Sequence, residues 1–223
     1  MRKIGTIVLG VALAMTLVFG LAACAYDEGE GQPGGPGNQN GGENRPMTEQ
    51  NPVVTMVVED FGTITIELLP DEAPQTVDNF IYLINQGFYD GSTFHRIIRN
   101  FMIQGGCPEG TGMSGPGYTI LGEFSQNGIE NNISHERGVI SMARVGNNPN
   151  SGGSQFFIVD HDTNARHLDG VHAAFGRVIE GMDIVDEIAN VRTSGDSPVS
   201  PPVIERMTVE TFGVEFPEPE KLR

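Results

Sequence analysis

Tryptophan is absent from this 223-residue chain, and cysteine occurs only twice, as Cys24 and Cys107. Cys24 closes an apolar N-terminal segment, so an intrachain disulfide is not expected and a disulfide-stapled fold is disfavoured. Positive charge is also scarce, because the net charge is −16 and no lysine occurs between Val53 and Phe212. Such an acidic chain repels phosphate backbones, so the composition argues against nucleic acid as a partner and indicates a soluble acidic exterior.

The sequence also lacks the residue spacing of a metal site and the length for two lobes. His161, His167 and His172 have no helical i, i+4 pairing, and no cysteine cluster joins them, which argues against a metalloenzyme. Once the leader and the tails are set aside, roughly 160 residues remain, enough for one domain with a real core. A ligand-capturing lipoprotein that serves a transporter usually needs two lobes. We therefore predict no metal site and no other cofactor.

Residues 1–23 are predicted to be a lipoprotein signal peptide. Arg2 and Lys3 give a positive start, an apolar body follows, and no charged residue appears again until Asp27. The segment ends in Leu21-Ala-Ala-Cys24, which resembles the lipobox of bacterial lipoproteins, a class in which the peptidase cuts before the cysteine and its sulfur carries diacylglycerol. The alternative is an uncleaved anchor helix, because the uncharged stretch is long enough to span a bilayer. Both interpretations tether the chain to the cell membrane, outside the cytoplasm.

Composition divides the remainder of the chain into three parts. Residues 24–51 combine the cysteine expected to carry the lipid with a glycine-rich segment that has almost nothing to bury, so a flexible linker is predicted. Residues 52–213 carry the apolar periodicity of a folded domain, and residues 214–223 are predicted to be a loose C-terminal tail.

The folded domain is predicted to be mainly β. Residues 53–59 are rich in β-branched side chains, and residues 63–68 alternate apolar and polar side chains, as a half-buried strand does. A helix begins at Ala73-Pro74 and ends at Gly87, and a second is predicted from about residue 182 to residue 189. The first helix carries a core-facing stripe of Val77, Phe80, Ile81 and Ile84. Together, eight strand-like runs and two helices favour a closed barrel.

One stretch carries the chemistry, residues 94–106, with the sequence Phe-His-Arg-Ile-Ile-Arg-Asn-Phe-Met-Ile-Gln-Gly-Gly. Two extended segments flank a short turn, and side chains alternate between the faces of each segment. Arg96 therefore shares a face with Ile98, and Met102 shares a face with Gln104. One cation, one amide and two apolar side chains can thus converge on one surface, without a nucleophile.

This stretch closely resembles the signature of the cyclophilins, the peptidyl-prolyl cis/trans isomerases with that fold. Two further blocks resemble the family at similar spacing. One contains Gly-Val-Ile-Ser-Met-Ala-Arg at residues 138–144 and Gly-Ser-Gln-Phe-Phe-Ile at 153–158; the other begins with His-Leu-Asp-Gly-Val-His at 167–172. The resemblance extends from about Val53 to Phe212 and implies an eight-stranded antiparallel closed barrel capped by two α-helices.

The resemblance also implies roles for individual residues. Arg96, Phe101 and Gln104 would be the catalytic set, with Arg96 donating a hydrogen bond to the proline nitrogen. The substrate-binding set would consist of Met102, Ala143, Arg144, Gln155, Phe157, His167, Leu168 and His172. Taken singly, Arg96 is equally consistent with a surface arginine and the apolar members with ordinary core residues, and His172 with a structural histidine. The match to the family favours the site.

Four positions depart from the family pattern. Arg144 stands where the family commonly has asparagine, which puts contacts outside the proline pocket in question. Arg99 and Cys107 replace the commoner proline and aspartate that flank the signature. His167 occupies the position where many eukaryotic members carry a tryptophan, whose N–H donates to the cyclic peptide inhibitor cyclosporin. We therefore expect weak cyclosporin binding.

The sequence thus predicts an enzyme that isomerises Xaa-Pro bonds in proline-containing polypeptides, which we expect to be unfolded exported proteins at the cell envelope. The expected protein is an extracytoplasmic monomer tethered through a lipid anchor on Cys24. The alternative is a proline-peptide-binding module of the same fold with little catalysis. That alternative predicts loss of Arg96 or of the aromatic pair, and both are present.

Overall fold

The computed structural model describes residues 50–162 and 164–222. The predicted signal peptide, Cys24 and nearly all of the predicted linker lie outside these residues. The elements, in chain order, are β1 (Val53–Val58), β2 (Gly62–Leu68), α1 (Pro74–Asn85), β3 (Arg96–Ile98), β4 (Met102–Gly105), β5 (Val139–Met142), β6 (Phe156–Val159), β7 (Ala174–Glu180), α2 (Met182–Ala189), β8 (Thr193–Ser194), β9 (Ser197–Pro198) and β10 (Ile204–Glu210). Neither helix in this part of the chain is long and apolar enough to cross a bilayer.

Eight of the strands form one antiparallel sheet in the order β10-β1-β2-β7-β5-β6-β4-β3, and β8 and β9 form a separate hairpin. The mainly β prediction with two helices is confirmed, but the fully closed barrel is not, because the sheet is curled and open. In the described residues β3 and β10 end the order unpaired with each other, and Thr93 makes isolated bridges to Cys107 and Val203 between them. Pro201 and Pro202 precede β10 and have no N–H to donate, although the Pro202 carbonyl accepts a hydrogen bond from the Phe94 N–H at 2.9 Å.

Side-chain alternation builds the core. In β1 every second residue is buried, and β2 contributes Ile64, Ile66 and Leu68, all fully buried. The predicted stripe of α1 is confirmed, because its four apolar residues are each at most 5% exposed. Pro74 occupies the first turn, and Gly87 adopts a positive φ of 65° just past the helix end, as the sequence predicted. The sheet and α1 thereby form a rigid support for the strands that carry the site.

The C-terminal segment is docked on the domain rather than loose, which corrects the predicted tail. Thr119 and Leu222 exchange two backbone hydrogen bonds, of 3.1 and 2.7 Å. The Lys221 ammonium lies 4.6 and 4.8 Å from the ring centroids of Tyr82 and Tyr118. The segment is polar and contains proline. Its composition could not indicate the cation–π contacts of Lys221 with Tyr82 and Tyr118, because both rings lie far away along the chain.

Candidate active site

Arg96 and Gln104 face each other across the β3–β4 hairpin. The turn between these strands places Asn100 in the left-handed region, with a φ of 61°, and its N–H donates to Asp160 Oδ2 at 2.9 Å. The strand register pairs Arg96 with Gln104, and Arg96 Nη1 donates to Gln104 Oε1 at 3.3 Å. Asp196 Oδ2 accepts a second hydrogen bond from Arg96 Nε at 3.2 Å. The guanidinium is therefore held at two of its three nitrogens.

An apolar slot lies beside this guanidinium. Met102, Phe157 and Leu168 are buried in a hydrophobic cluster distinct from the main core, and Phe101 and Ala143 pack against that cluster. The guanidinium and these five side chains border a cavity of about 500 Å³. An apolar cavity with a few convergent polar groups is typical of a site for a small ligand. This slot can therefore hold a small apolar ring next to a charged donor.

Two glutamines connect the cavity to a neighbouring loop. Gln104 Nε2 donates to Gln155 Oε1 at 3.0 Å, and Gln155 Nε2 donates to the carbonyls of Gly112 and Ser114, both at 3.0 Å. Because two carbonyls accept from the Gln155 amide nitrogen, its oxygen must face Gln104, and the Gln104 oxygen must then face Arg96. The loop at residues 112–114 thus fixes which atom Gln104 offers to the arginine.

Two histidines lie behind the apolar slot. His172 packs edge-on against Phe157, with ring centroids 5.7 Å apart, and borders the cavity. Burial, followed by the charge of a nearby arginine and two histidines, lowers the pKa of His172 to about 4. His135 stacks on the Phe157 ring, with centroids 5.9 Å apart. Its Nδ1 lies 2.9 Å from Asp169 Oδ1, and its Nε2 lies 2.9 Å from Ser141 Oγ. Burial lowers the pKa of His135 too, so both imidazoles lose their proton more readily than a free histidine does.

Arg144 braces two loops at the rim of the cavity. Its Nε donates to the Val171 carbonyl at 2.6 Å, and its Nη1 donates to the Gly146 carbonyl at 2.8 Å. Its guanidinium carbon also lies 5.1 Å from the centroid of the Phe124 ring. These contacts tie the loop after β5 to the loop that carries His172. Arg144, which departs from the family pattern, therefore has its guanidinium engaged by backbone carbonyls and by the Phe124 ring.

A second groove, of about 460 Å³, adjoins the cavity. The residues that border both are Gln104, Gly112, Ala143 and Arg144. Gln155 borders the second groove, and the apolar side chains of Met113 and Val145 on its edge are among the most exposed, at 90% and 62%. A chain that enters the cavity can thus continue along a surface with apolar contacts at its rim, where Arg144 is the charged residue.

Most of the predicted site residues meet at this cavity. Those that border it are Arg96, Phe101, Met102, Gln104, Ala143, Arg144, Phe157, Leu168 and His172. Gln155 lies one hydrogen bond behind Gln104 and borders the second groove. His167 is not among the residues that border the cavity; it stacks on the Phe101 ring, with centroids 5.5 Å apart and an interplanar angle of 29°.

Sequence reasoning missed five residues that also border the cavity, His95, Thr111, Gly112, Asp196 and Ser197. His95 was not a predicted site residue, although it directly precedes Arg96, at which β3 begins. Asp196 and Ser197 gave no local signal, because Asp196 lies 100 positions from Arg96 along the chain. Within residues 50–162 and 164–222, no group of three or more His, Cys, Asp or Glu could hold a metal ion.

Comparisons with known proteins agree with this architecture. The family model described as "Cyclophilin type peptidyl-prolyl cis-trans isomerase/CLD" matches residues 53–209. The chain is 50% identical to peptidyl-prolyl cis-trans isomerase B of Bacillus subtilis over 134 residues, which are 60% of this chain and 88% of that protein. It is 48% identical to a peptidyl-prolyl cis-trans isomerase of Synechococcus elongatus over 131 residues, 58% of this chain and 83% of that protein.

A solved structure agrees as well. The chain resembles the crystal structure of a cyclophilin-type peptidyl-prolyl cis-trans isomerase from Cryptosporidium parvum, determined in the presence of the dipeptide Ala-Pro, with a TM-score of 0.64 and 29% identity. The similarity covers 71% of this chain and 99% of that one. A curled antiparallel sheet with two helices and an arginine-bordered apolar cavity defines a cyclophilin-like fold. The chain belongs to the cyclophilin-type peptidyl-prolyl cis-trans isomerase family, and it is an isomerase of Xaa-Pro peptide bonds.

Proposed function

We propose that the cavity holds the proline ring of an Xaa-Pro segment while Arg96 donates a hydrogen bond to the proline nitrogen as the peptide bond twists. One observation carries the proposal: a guanidinium held by two acceptors borders an apolar slot. Phe101 supplies part of the wall against the ring, and Gln104 orients the guanidinium. These three residues form the proposed catalytic set.

The donor has to act mainly on the twisted bond. Resonance keeps the peptide bond planar, with a barrier of about 18–20 kcal/mol, and uncatalysed exchange takes roughly 10–100 s. The proline nitrogen regains its lone pair only as the bond rotates, so a hydrogen bond to it is weak in the ground state and strong in the transition state. A barrier of about 13 kcal/mol would allow about 10³ events per second, so the site has to supply about 5–7 kcal/mol.

The residues beside the slot suit an extended substrate backbone. Ala143 N–H already donates to the Gln155 carbonyl at 2.9 Å, so the Ala143 carbonyl is the group offered to a peptide. The second groove continues from this point and can hold residues further along the chain. The relative from Cryptosporidium parvum was crystallised in the presence of Ala-Pro, which supports a dipeptide of this kind as the minimal ligand here.

A binding module of the same fold would hold the same peptide without accelerating its isomerisation. The two functions separate in an NMR exchange experiment on a short Ala-Pro peptide with substoichiometric protein. Catalysis predicts exchange cross-peaks between the cis and trans proline resonances on the time scale of seconds or less. Shifted resonances that grow with protein concentration while exchange stays at the uncatalysed rate would instead establish the module and refute the catalytic proposal.

We also propose that the protein acts on unfolded exported proteins at the cell envelope, as a monomer held there by a lipid on Cys24. The support lies in the sequence, which places a lipobox-like segment and a glycine-rich stretch before the folded domain. A flexible linker would let the domain reach chains near the membrane without lying on it. Weak cyclosporin binding forms part of the same proposal, because His167 offers a smaller ring than an indole beside Phe101.

A further inference from the structure

We propose that Asp196 is a positioning residue for the isomerase reaction: it holds Arg96 at Nε so that the remaining N–H groups of the guanidinium face the bound proline. This inference rests on the proposed role of Arg96. It assigns a function to the small β8–β9 hairpin, which lies outside the main sheet. Three features of the structure support it.

The first feature is the way in which the hairpin is built. Strand pairing joins Thr193 to Pro198 and Ser194 to Ser197, so the turn has two central residues, Gly195 and Asp196. Gly195 has a φ of 61°, a conformation that glycine adopts without strain at the first central position of a tight hairpin. Of the six residues only Pro198 is buried, so the hairpin adds little to the core. Its turn instead presents Asp196.

The second feature is a backbone tie between the hairpin and the catalytic strand. The Ile97 N–H donates to the Asp196 carbonyl at 2.7 Å, one residue after Arg96. This hydrogen bond fixes the Asp196 backbone beside β3, and the carboxylate then reaches Arg96 Nε at 3.2 Å. Asp196 is therefore anchored independently of the ion pair that it makes. An anchored acceptor can orient a flexible partner, whereas two mobile side chains would not constrain each other.

The third feature is the division of donors on the guanidinium. An arginine carries five N–H groups in one plane, and fixing two of its nitrogens fixes the direction of the third. Asp196 engages Nε and Gln104 engages Nη1, so among the described residues both N–H groups on Nη2 are left for a ligand. Gln104 is uncharged and its contact, at 3.3 Å, is long for an N–H···O hydrogen bond. The Arg96 side chain is 42% exposed, so this contact alone would not hold one rotamer.

The ion pair should act on turnover rather than on stability. Both side chains are about half exposed, at 42% and 53%, and exposed ion pairs contribute little to folding. Loss of Asp196 should leave the fold intact and let Arg96 sample orientations that do not point at the proline nitrogen. Because misaligned molecules still bind the proline in the apolar slot, we expect kcat to fall by roughly fivefold with little change in KM.

The test compares isomerisation of an Ala-Pro peptide by Asp196→Ala, Asp196→Asn and Glu136→Gln. Glu136 is the matched control, because it pairs with Arg166 at 2.7 Å and is also 53% exposed, but it does not border the cavity. We expect kcat to fall at least threefold in Asp196→Ala, less in Asp196→Asn, which keeps an acceptor, and not at all in Glu136→Gln. A smaller fall than threefold in a folded Asp196→Ala protein overturns the proposal.

A double variant shows whether Asp196 acts through Arg96. In Arg96→Ala the guanidinium is gone, so adding Asp196→Ala should change kcat no further; an additional fall overturns the positioning role. In the wild type, the Arg96 Nε–H should exchange with water more slowly than in Asp196→Asn. Equal exchange rates would also overturn the positioning role of Asp196. This measurement does not depend on whether the alanine variant folds. If Arg96→Ala is as active as the wild type, the proposed role of Arg96 fails instead, which distinguishes the two failures.

Discussion

Acidification should destabilise the domain through His172, a partly buried member of the cavity wall. Its Nδ1 has no hydrogen-bond partner in the described structure, and burial lowers its pKa to about 4 from an ordinary value of 6.5. The unfolded chain therefore takes up a proton at higher pH than the folded protein does. The contribution to stability is fully present above about pH 6.5, declines as the pH falls below that value, and is exhausted below about pH 4.

The size of this effect follows from the two pKa values. A difference between 6.5 and about 4 corresponds to about 3 kcal/mol, at 1.36 kcal/mol for each pH unit. Water reaches part of the ring, so we take about half of that, or about 1.5 kcal/mol, as the share of His172 between pH 7 and pH 4. His135 adds to the same dependence, because burial lowers its pKa as well.

Urea unfolding of the wild type and of His172→Phe at pH 7, 5.5 and 4 measures this share. Phenylalanine keeps a ring against Phe157 and cannot titrate, so the free energy of unfolding should fall less steeply with acid, by about 1.5 kcal/mol over the range. His161→Gln controls for the loss of one imidazole from the surface, where His161 is exposed. If His172→Phe and the wild type lose stability in parallel, the account of the cavity wall is wrong.

Two further predictions concern the N-terminus and the inhibitor. Cys24→Ala should abolish incorporation of radiolabelled fatty acid and leave an unprocessed precursor; equal label in the mutant and the wild type would rule out the lipoprotein proposal. His167→Trp should place an indole beside Phe101. Cyclosporin inhibition should then become roughly 5- to 150-fold tighter, equivalent to about 1–3 kcal/mol. Nanomolar inhibition of the wild type, or no gain in the mutant, would contradict that argument.

The sequence predicted the parts of the fold that depend on short-range periodicity. The alternation of β1 and β2 and the stripe of α1 follow from side-chain direction alone, and the structure confirms each of them. Nine of the eleven predicted site residues border one cavity, because the family motif preserves their spacing. The facing pair of Arg96 and Gln104 follows from strand alternation and from the hairpin register.

Contacts between distant segments could not be predicted in the same way. Asp196 approaches Arg96 through a hairpin whose residues are mostly small and exposed, a composition that indicates only a loop. The C-terminal segment was predicted to be a loose tail, yet the Lys221 ammonium lies over the rings of Tyr82 in α1 and Tyr118 in a loop. The sheet remains open because its two end strands, β3 and β10, do not pair with each other in the described residues, which the number of strands alone does not determine.

The measurement that tests the central claim most directly is the rate of cis/trans exchange in an Ala-Pro peptide with wild-type protein and with Arg96→Ala. A preorganised donor to the developing charge is worth about 2.7–4 kcal/mol, so kcat/KM should fall at least about 10²-fold while the folded state survives. Peptide binding, read from chemical-shift changes at Phe157, should persist because the apolar slot is intact. A folded Arg96→Ala protein that isomerises the peptide at the wild-type rate would contradict the mechanism.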